Sequence, residues 1–400
     1  MFKASGFAWR LYCGAGAIEQ GLEEAVRRAG AARAFVVCSP SINRRTETVA
    51  RIAAALGERY AGVFDGIEKD STYASVGAAR DAARAAGADL LIAVGGGSVL
   101  VACRAVAIFL AEAGDPFALM TQYPAGKPAF SPRLVAPKLP IINIPTTPTS
   151  AMNRAGTGLK NPALDQRMEY FDPKTRPQAI FLDDAALLAT PLGMLRSTAT
   201  TVFAGLVGAM AQQGLNPLVE GDRDQAFRLA KRAYLRLAAG EDDAALRQDL
   251  CLAAFLQNRA EDDGGRSFRS AAFSGNYAVS TALHVRYPHV GQGESTAVVH
   301  AARIRLAEDV TAPAARQVAE ALGVWADNMD ARRAALAVAD ALEALYQRMG
   351  MPVRLRDLDI AAKDLPAVAA ETVKNFNANA GVRSAEEQVA EALALLRAAH

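Results

Sequence analysis

The chain has 400 residues, 51% of them hydrophobic and 22% charged, with a formal net charge of +2. That length allows two domains and a large core, and so small a charge leaves no basic field for nucleic acid or an anionic membrane surface. No apolar run reaches the length of a bilayer span. Met1 to Cys13 contains no long apolar stretch, so no signal peptide is expected. The cysteines Cys13, Cys38, Cys103 and Cys251 are scattered without CxxC spacing. That pattern suits reduced, mostly buried thiols in a cytoplasmic protein.

Strand and helix signals alternate in the first part of the chain. Residues 34–38 and 60–64 read as short strands, with helical periodicity over 46–56 and 75–86. A strand over 89–94 runs into three glycines and a serine, and an almost wholly apolar helix, 99–111, follows. Residues 139–144 form another strand, ending at Pro145-Thr146-Thr147-Pro148-Thr149-Ser150, and 179–182 read as the last one. Such alternation implies a parallel sheet covered by helices on both faces. Beyond residue 183 strand signals nearly vanish. Alanine- and leucine-rich helices are expected over 195–212, 223–239, 243–259, 270–284, 332–349 and 385–398. Residues 261–266 read as a solvated break between helices. The chain therefore divides into an α/β domain, 1–183, and an all-α domain, 184–400.

The turn Gly95-Gly96-Gly97-Ser98 is the most informative stretch. Glycines let the backbone turn sharply and lie against a ligand with no Cβ in the way. The following helix points its unpaired N–H groups and positive dipole end at the turn, which makes a phosphate cradle. A glycine-rich turn that holds nothing would share the pattern. In parallel sheets ligands lie outside the C-terminal strand ends, so this turn and the 145–150 loop should converge on one site.

These motifs in order resemble the iron-containing alcohol dehydrogenase superfamily. The resemblance rests on Phe64-Asp65-Gly66-Ile67-Glu68, the triglycine turn, Pro145-Thr146-Thr147, Phe171-Asp172-Pro173, Pro177 through Asp183, and the tail from Arg348-Met349-Gly350-Met351-Pro352. Within the superfamily, Gly291 through Val299 looks closest to the maleylacetate reductase branch. The resemblance implies a Rossmann-like N-terminal sheet and an all-helical C-terminal domain lining a catalytic cleft, the architecture shared with dehydroquinate synthase. It implies that Gly95, Gly96, Gly97 and Ser98 hold the pyrophosphate of a nicotinamide dinucleotide, with Thr146, Thr147 and Ser150 lining the nicotinamide and phosphate region. Two places depart from the family: Val101 replaces a frequent Asp, and Ala151-Met152-Asn153 replaces a Gly-Ser-Glu stretch. Family members are often dimers or larger, so a homodimer is expected.

The resemblance implies that NAD-specific members place an acidic residue after the first expected strand, where it accepts the ribose 2′-OH. Here that place is Ser39, followed by Asn43, Arg44 and Arg45. Serine does not repel a 2′-phosphate and a nearby arginine can pair with it, so the cofactor is NAD(P)(H) with NADPH tolerated. Exposed arginines at a helix start are the equal alternative. The resemblance also implies a divalent metal held by an Asp and three His, and these places fall on Val202, Leu206, Tyr277 and Gln292. An aliphatic pair cannot bind a dication and Gln is a poor substitute for imidazole, so metal is expected to be absent there. A relocated site through His284, His289 and His300, with Glu294 nearby, is the other possibility.

Hydride transfer to a carbonyl builds negative charge on oxygen, so without a metal hydrogen-bond donors must stabilise it and supply a proton. Tyr277 is the first candidate, His284 the second, and Gln292 can orient the substrate. Arg154, Lys160, Arg167 and Arg269 can offer positive charge to an anionic substrate, or be solvated surface groups. The expected function is an NAD(P)-dependent oxidoreductase acting on a small carbonyl or alcohol. A dehydroquinate-synthase-like enzyme and a catalytically altered or inactive nucleotide-binding homologue with a regulatory or assembly role are the alternatives.

Overall fold

Continuous apolar runs flanked by glycine or proline become the central strands of a parallel sheet. The computed structural model describes residues 1–124, 127–164, 166–264, 272–375 and 384–400. The strands are β1 (Arg10–Gly14), β2 (Ala34–Cys38), β3 (Tyr60–Phe64), β4 (Leu90–Gly95), β5 (Ile141–Pro145), β6 (Gly156–Leu159), β7 (Met168–Phe171) and β8 (Ala179–Asp183). The helices are α1 (Ala17–Arg28), α2 (Pro40–Arg45), α3 (Thr48–Leu56), α4 (Tyr73–Ala85), α5 (Gly97–Ala111), α6 (Pro116–Leu119), α7 (Asp184–Leu188) and α8 (Leu192–Met210). They continue as α9 (Pro217–Ala238), α10 (Ala244–Asp262), α11 (Tyr277–Arg286), α12 (Gln292–Leu306), α13 (Ala312–Leu322), α14 (Ala331–Met349), α15 (Leu365–Ala370) and α16 (Ala385–Ala399).

Two compact units result. One comprises Phe7–Pro191 and Asp243–Cys251 and carries the strands; the other comprises Met1–Gly6, Leu192–Asp242 and Leu252–His400 and is helical. Among the described residues the main sheet has six strands in the order β1-β8-β5-β4-β2-β3, all parallel. The interior strands β2, β4, β5 and β8 are buried along their whole length, as strands covered on both faces must be. Their C-terminal ends are level, because Cys38 pairs with Val94 and Gly95 with Pro145. From β2 the chain steps outward to β3, then returns to β4 and continues the other way to β5. The strand order therefore reverses between β2 and β4, and a parallel sheet opens a ligand crevice at such a point.

The expected strands all form, with ends moved by up to two residues. Strand β1 and helix α1 were not anticipated. β1 is partly exposed at the sheet edge and owes its place to β8, with Tyr12 stacked on Phe181 at 4.4 Å. The antiparallel pair β6–β7 and helices α12 and α13 were also missed. Glu261 and Asp262, expected in a loop, end helix α10, while 265 and 266 lie outside the described residues. The helix expected from 270 begins at Tyr277, and 270 and 271 lie outside the described residues.

In the helical unit α12 is buried on most of its surface, and its His300 is wholly enclosed. The Nε2 of His300 lies 2.8 Å from the Phe273 carbonyl, which can only accept, so Nε2 carries the hydrogen. Nδ1 then accepts from the Tyr346 hydroxyl at 2.7 Å. Burial drives His300 down to about 4. The unfolded chain binds a proton near pH 6.5 and the folded one does not, so this stabilisation is complete above about 6.5 and is lost as pH falls towards 4. The wild-type chain should lose about 2 kcal/mol between pH 7 and pH 5 from this group. Urea unfolding of wild type and His300→Gln at both pH values should show a steeper decline for wild type; parallel declines would contradict the assignment.

Candidate active site

Gly95 ends β4 with φ +150°, and a Cβ there would meet Val99 Cγ2 at 2.9 Å. The turn thus folds tightly onto its own helix, which glycine alone permits. Helix α5 starts at Gly97 with Gly96 as its N-cap, and no side chain caps it. Within its first turn Val99 N–H reaches the Gly96 carbonyl at 3.0 Å, while the amides of Gly97 and Ser98 have no carbonyl behind them in the helix. A Cβ on Gly96 would come within 3.2 Å of Thr147 Oγ1, and one on Gly97 within 3.1 Å of Thr149 Oγ1. The turn and the loop after β5 therefore face each other across a gap that two methyl groups would fill. Thr147 is fully buried, and its Oγ1 has no hydrogen-bond partner among the described residues. A buried hydroxyl left so costs about 1–3 kcal/mol, and a ligand oxygen in the gap would satisfy it. These features fit the pyrophosphate and its flanking ribose: bare helix amides, a cradle kept open by glycine, and an unsatisfied hydroxyl on its far wall.

Ser98 has a second task. Its Oγ accepts the Asp70 N–H at 3.1 Å and its carbonyl accepts the Ser71 hydroxyl at 2.6 Å. Asp70 and Ser71 both take left-handed φ, 64° and 55°, which is strained for non-glycine residues. Ser98 thus holds the 68–72 loop and still has its own hydroxyl proton to donate.

The segment after the threonines is irregular yet mostly buried, and its carbonyls are satisfied from outside. Arg104, on α5, donates to the carbonyls of Ala151 and Gly156. Asn143, on β5, donates to Met152 at 2.8 Å, Arg176 to Asn153 at 2.9 Å, and Thr175 to Ala155 at 3.1 Å. Thr157 closes the set with a 2.7 Å bond to the carbonyl of Val101. Arg104 is 1% exposed, and its Nε has no partner among the described residues. Burial pulls Arg104 down to about 9, with the positive charges of Arg154 and Arg176 adding to the effect. These holding residues escaped the sequence reading, although an arginine inside an apolar helix was the visible sign.

Other expected residues fall as follows. Thr146 is buried and its carbonyl accepts the Thr190 hydroxyl at 2.6 Å. Ser150 is exposed. Ser39 is half-buried at the N-cap of α2, its Oγ 3.1 Å from that of Ser41. Arg167 donates to the Gly158 carbonyl at 3.1 Å, and Arg154 and Lys160 are half-buried. Arg269 lies outside the described residues.

Tyr277, His284 and Gln292 belong to the helical unit. Tyr277 opens α11, half-buried, after Asn276, which caps the helix through Val279 N–H at 3.2 Å. His284 is 5% exposed, and its Nδ1 donates to the Ser280 carbonyl at 3.0 Å. Ser280 Oγ is in turn 3.0 Å from both Ser295 Oγ and Thr296 Oγ1 on α12. Gln292 opens α12 and is exposed. The glycines beside it serve packing. A Cβ on Gly293 would stand 2.0 Å from the Ser197 carbonyl, so α12 begins directly against the backbone of α8. There Ser197 Oγ donates to Glu294 Oε2 at 2.6 Å and accepts Gly293 N–H at 3.2 Å.

Val202 and Leu206 are 4% and 0% exposed, one turn apart on α8. The four places that the resemblance gives to metal ligands thus hold two enclosed aliphatic side chains, a phenol and an exposed amide, a set that does not fit a divalent cation. Nor do the other histidines gather into a site. Both nitrogens of His300 are engaged, and His289 Nε2 donates to the Leu358 carbonyl at 3.0 Å. Among the described residues no group of three or more His, Cys, Asp or Glu is placed to hold a metal ion.

Comparison with known proteins adds an independent line. Residues 8–184 match the model of the iron-containing alcohol dehydrogenase family, and 202–400 match its C-terminal counterpart. The chain is 25% identical over 356 residues to lactaldehyde reductase of Escherichia coli strain K12, covering 87% of each. It is 26% identical over 372 residues to maleylacetate reductase of Burkholderia cepacia, covering 92% of this chain and 89% of that one. The structure of an NADH-dependent butanol dehydrogenase from Thermotoga maritima shares the fold over 100% of both chains, with a TM-score of 0.84 and 16% identity.

Two substitutions separate cradle from support. Gly97→Ala should weaken coenzyme binding by about tenfold or more with little change in Tm, because its methyl enters the gap. Arg104→Lys should lower Tm, because an ammonium cannot span two carbonyls and one is left unpaired at about 1–3 kcal/mol. Equal coenzyme affinity in Gly97→Ala, or an unchanged Tm in Arg104→Lys, would contradict these roles.

Proposed function

The chain belongs to the iron-containing alcohol dehydrogenase family, and from that premise, which makes it an oxidoreductase, we propose that it moves hydride between a nicotinamide coenzyme and a small carbonyl compound or the matching alcohol without the family's divalent metal. The observation that carries the coenzyme reading is the cradle formed by Gly96, Gly97 and the partnerless Thr147 hydroxyl. Gly95 to Ser98 would hold the pyrophosphate, Thr146, Thr147 and Ser150 the nicotinamide side, and Ser39 the adenosine side. NADPH is accepted as well as NADH. Lactaldehyde reductase and maleylacetate reductase, by their names, reduce lactaldehyde and maleylacetate, which supports a small carbonyl substrate; an anionic one is consistent with Arg154, Lys160 and Arg167.

When bound, the reduced nicotinamide supplies hydride to the carbonyl carbon. The chain's task is then to meet the charge that builds on oxygen. Tyr277 is the proposed donor of the hydrogen bond and proton, since a phenol can give both. His284 is its alternate, an imidazole whose Nδ1 is held as a donor by the Ser280 carbonyl. Gln292 orients the substrate oxygen. No step runs through a metal, because Val202 and Leu206 give it nothing to bind. The same aliphatic pair favours one second reading: a homologue that keeps the coenzyme cradle and has given up catalysis for a regulatory or assembly role. The proposed protein is cytoplasmic and a homodimer; among the described residues no helix is long and apolar enough to cross a membrane.

Titration of tryptophan fluorescence with NADH and NADPH, followed by a panel of small aldehydes and keto acids, tests the reading. Binding of both coenzymes with carbonyl reduction that falls about 10²-fold in kcat in Tyr277→Phe, in the range of general acid catalysis, is the expected result. Binding without reduction of any carbonyl selects the second reading. No binding at millimolar concentration overturns both.

A further inference from the structure

The level strand ends carry the coenzyme reading one step further. Along the sheet order β5-β4-β2-β3, the ends present Thr146, Gly96, Ser39 and Asp65 in sequence across the crevice. Val37 pairs with Phe64, so Asp65 follows β3 as Cys38 ends β2, and the two turns are joined by the Ile67 N–H to Cys38 carbonyl bond at 3.2 Å. Ser39 cannot supply the carboxylate that distinguishes a free ribose from a phosphorylated one. Asp65, beside it on the next strand, can.

Asp65 is already engaged on one oxygen. Its Oδ2 accepts from Asn43 Nδ2 and from Arg44 Nε, both at 3.2 Å, and Oδ1 takes no hydrogen bond among the described residues. The Arg44 side chain is 69% exposed and that of Asp65 is 27% exposed. An ion pair so open is weak and can be exchanged for a better partner at little cost. We propose that the Arg44–Asp65 pair sets the coenzyme preference, with Asp65 accepting the ribose hydroxyls of NADH while the pair is closed and Arg44 turning to the 2′-phosphate of NADPH when it opens. The proposal rests on the reading of the cradle as a dinucleotide site. A dianionic phosphate gives a guanidinium a stronger, bidentate partner than a single carboxylate oxygen. It also repels Asp65, so the two nucleotides draw the pair towards opposite states. Because each charge offsets the other, the wild-type chain discriminates poorly.

The test is a pair of substitutions read as a ratio of affinities. Dissociation constants for NADH and NADPH, and for the fragments 5′-AMP and 2′,5′-ADP, are measured on the full chain by fluorescence or calorimetry. Asp65→Asn should raise the preference for the 2′-phosphorylated nucleotide about tenfold, and Arg44→Gln should lower it about tenfold, each tenfold step being one decade of binding constant. A merely structural pair would weaken both nucleotides together, leaving the ratio within twofold in both variants, and that result overturns the proposal while leaving the cradle intact. Failure of the wild-type chain to bind either coenzyme overturns the cradle reading and this proposal with it. The opposite signs expected of the two variants keep the test decisive even if one of them folds poorly.

Discussion

Residues 151–155 run through the interior without strand or helix partners, and their carbonyls must still be hydrogen-bonded. The chain meets that demand with side chains from the elements around them, chiefly the buried guanidinium of Arg104. An arginine suits the position because one rigid fork reaches two carbonyls at once. Among the described residues it forms no ion pair with a carboxylate, so the arrangement costs desolvation and returns a fixed loop. That loop begins at the threonines that face the triglycine turn. The width of the gap beside the turn therefore depends on a charge buried in the helix that starts at the gap's other wall.

The same logic explains the glycines. Gly96 and Gly97 keep the gap open, and Gly95 lets β4 pass into α5 within a residue or two. In the helical unit Gly293 does a different job, letting α12 start against the backbone of α8. Glycine-rich stretches that look alike in sequence thus leave a gap at a helix N-terminus in one unit and allow close packing in the other. What separates them is what a Cβ would strike: a hydroxyl across a gap at 3.2 Å, or a carbonyl at 2.0 Å.

Much of the fold was legible because its signals are local. β2, β4, β5 and β8 are continuous apolar runs, and only a doubly covered sheet accommodates four of them. β1 was not legible: Arg10, Tyr12 and Cys13 show no apolar run, and the strand exists through pairing with residues about 170 positions away. Helix α12 was hidden by its opening Gly-Gln-Gly, which reads as a turn until its fit against α8 is known. The triglycine turn was legible as a turn, because Gly95 takes a positive φ and Gly96 and Gly97 lie close against Thr147 and Thr149. Arg104, Asn143 and Thr175 were not, since their work is to satisfy carbonyls whose position only the folded loop defines. The ligand-like places at Val202 and Leu206 could be questioned from residue type alone, because no packing turns an aliphatic side chain into a metal ligand.

On the proposed reading, the chain holds a nicotinamide coenzyme as its family does and works without the family's divalent metal. The most direct measurement is carbonyl reduction by protein purified without chelator, with bound metal quantified by elemental analysis and the rate taken before and after exhaustive chelation. The account predicts less than 0.1 equivalent of iron, zinc or other divalent metal (about one site in ten at most, where a structural or catalytic site would bind stoichiometrically) and an unchanged rate. One equivalent of metal whose removal abolishes turnover and whose return restores it would contradict the account.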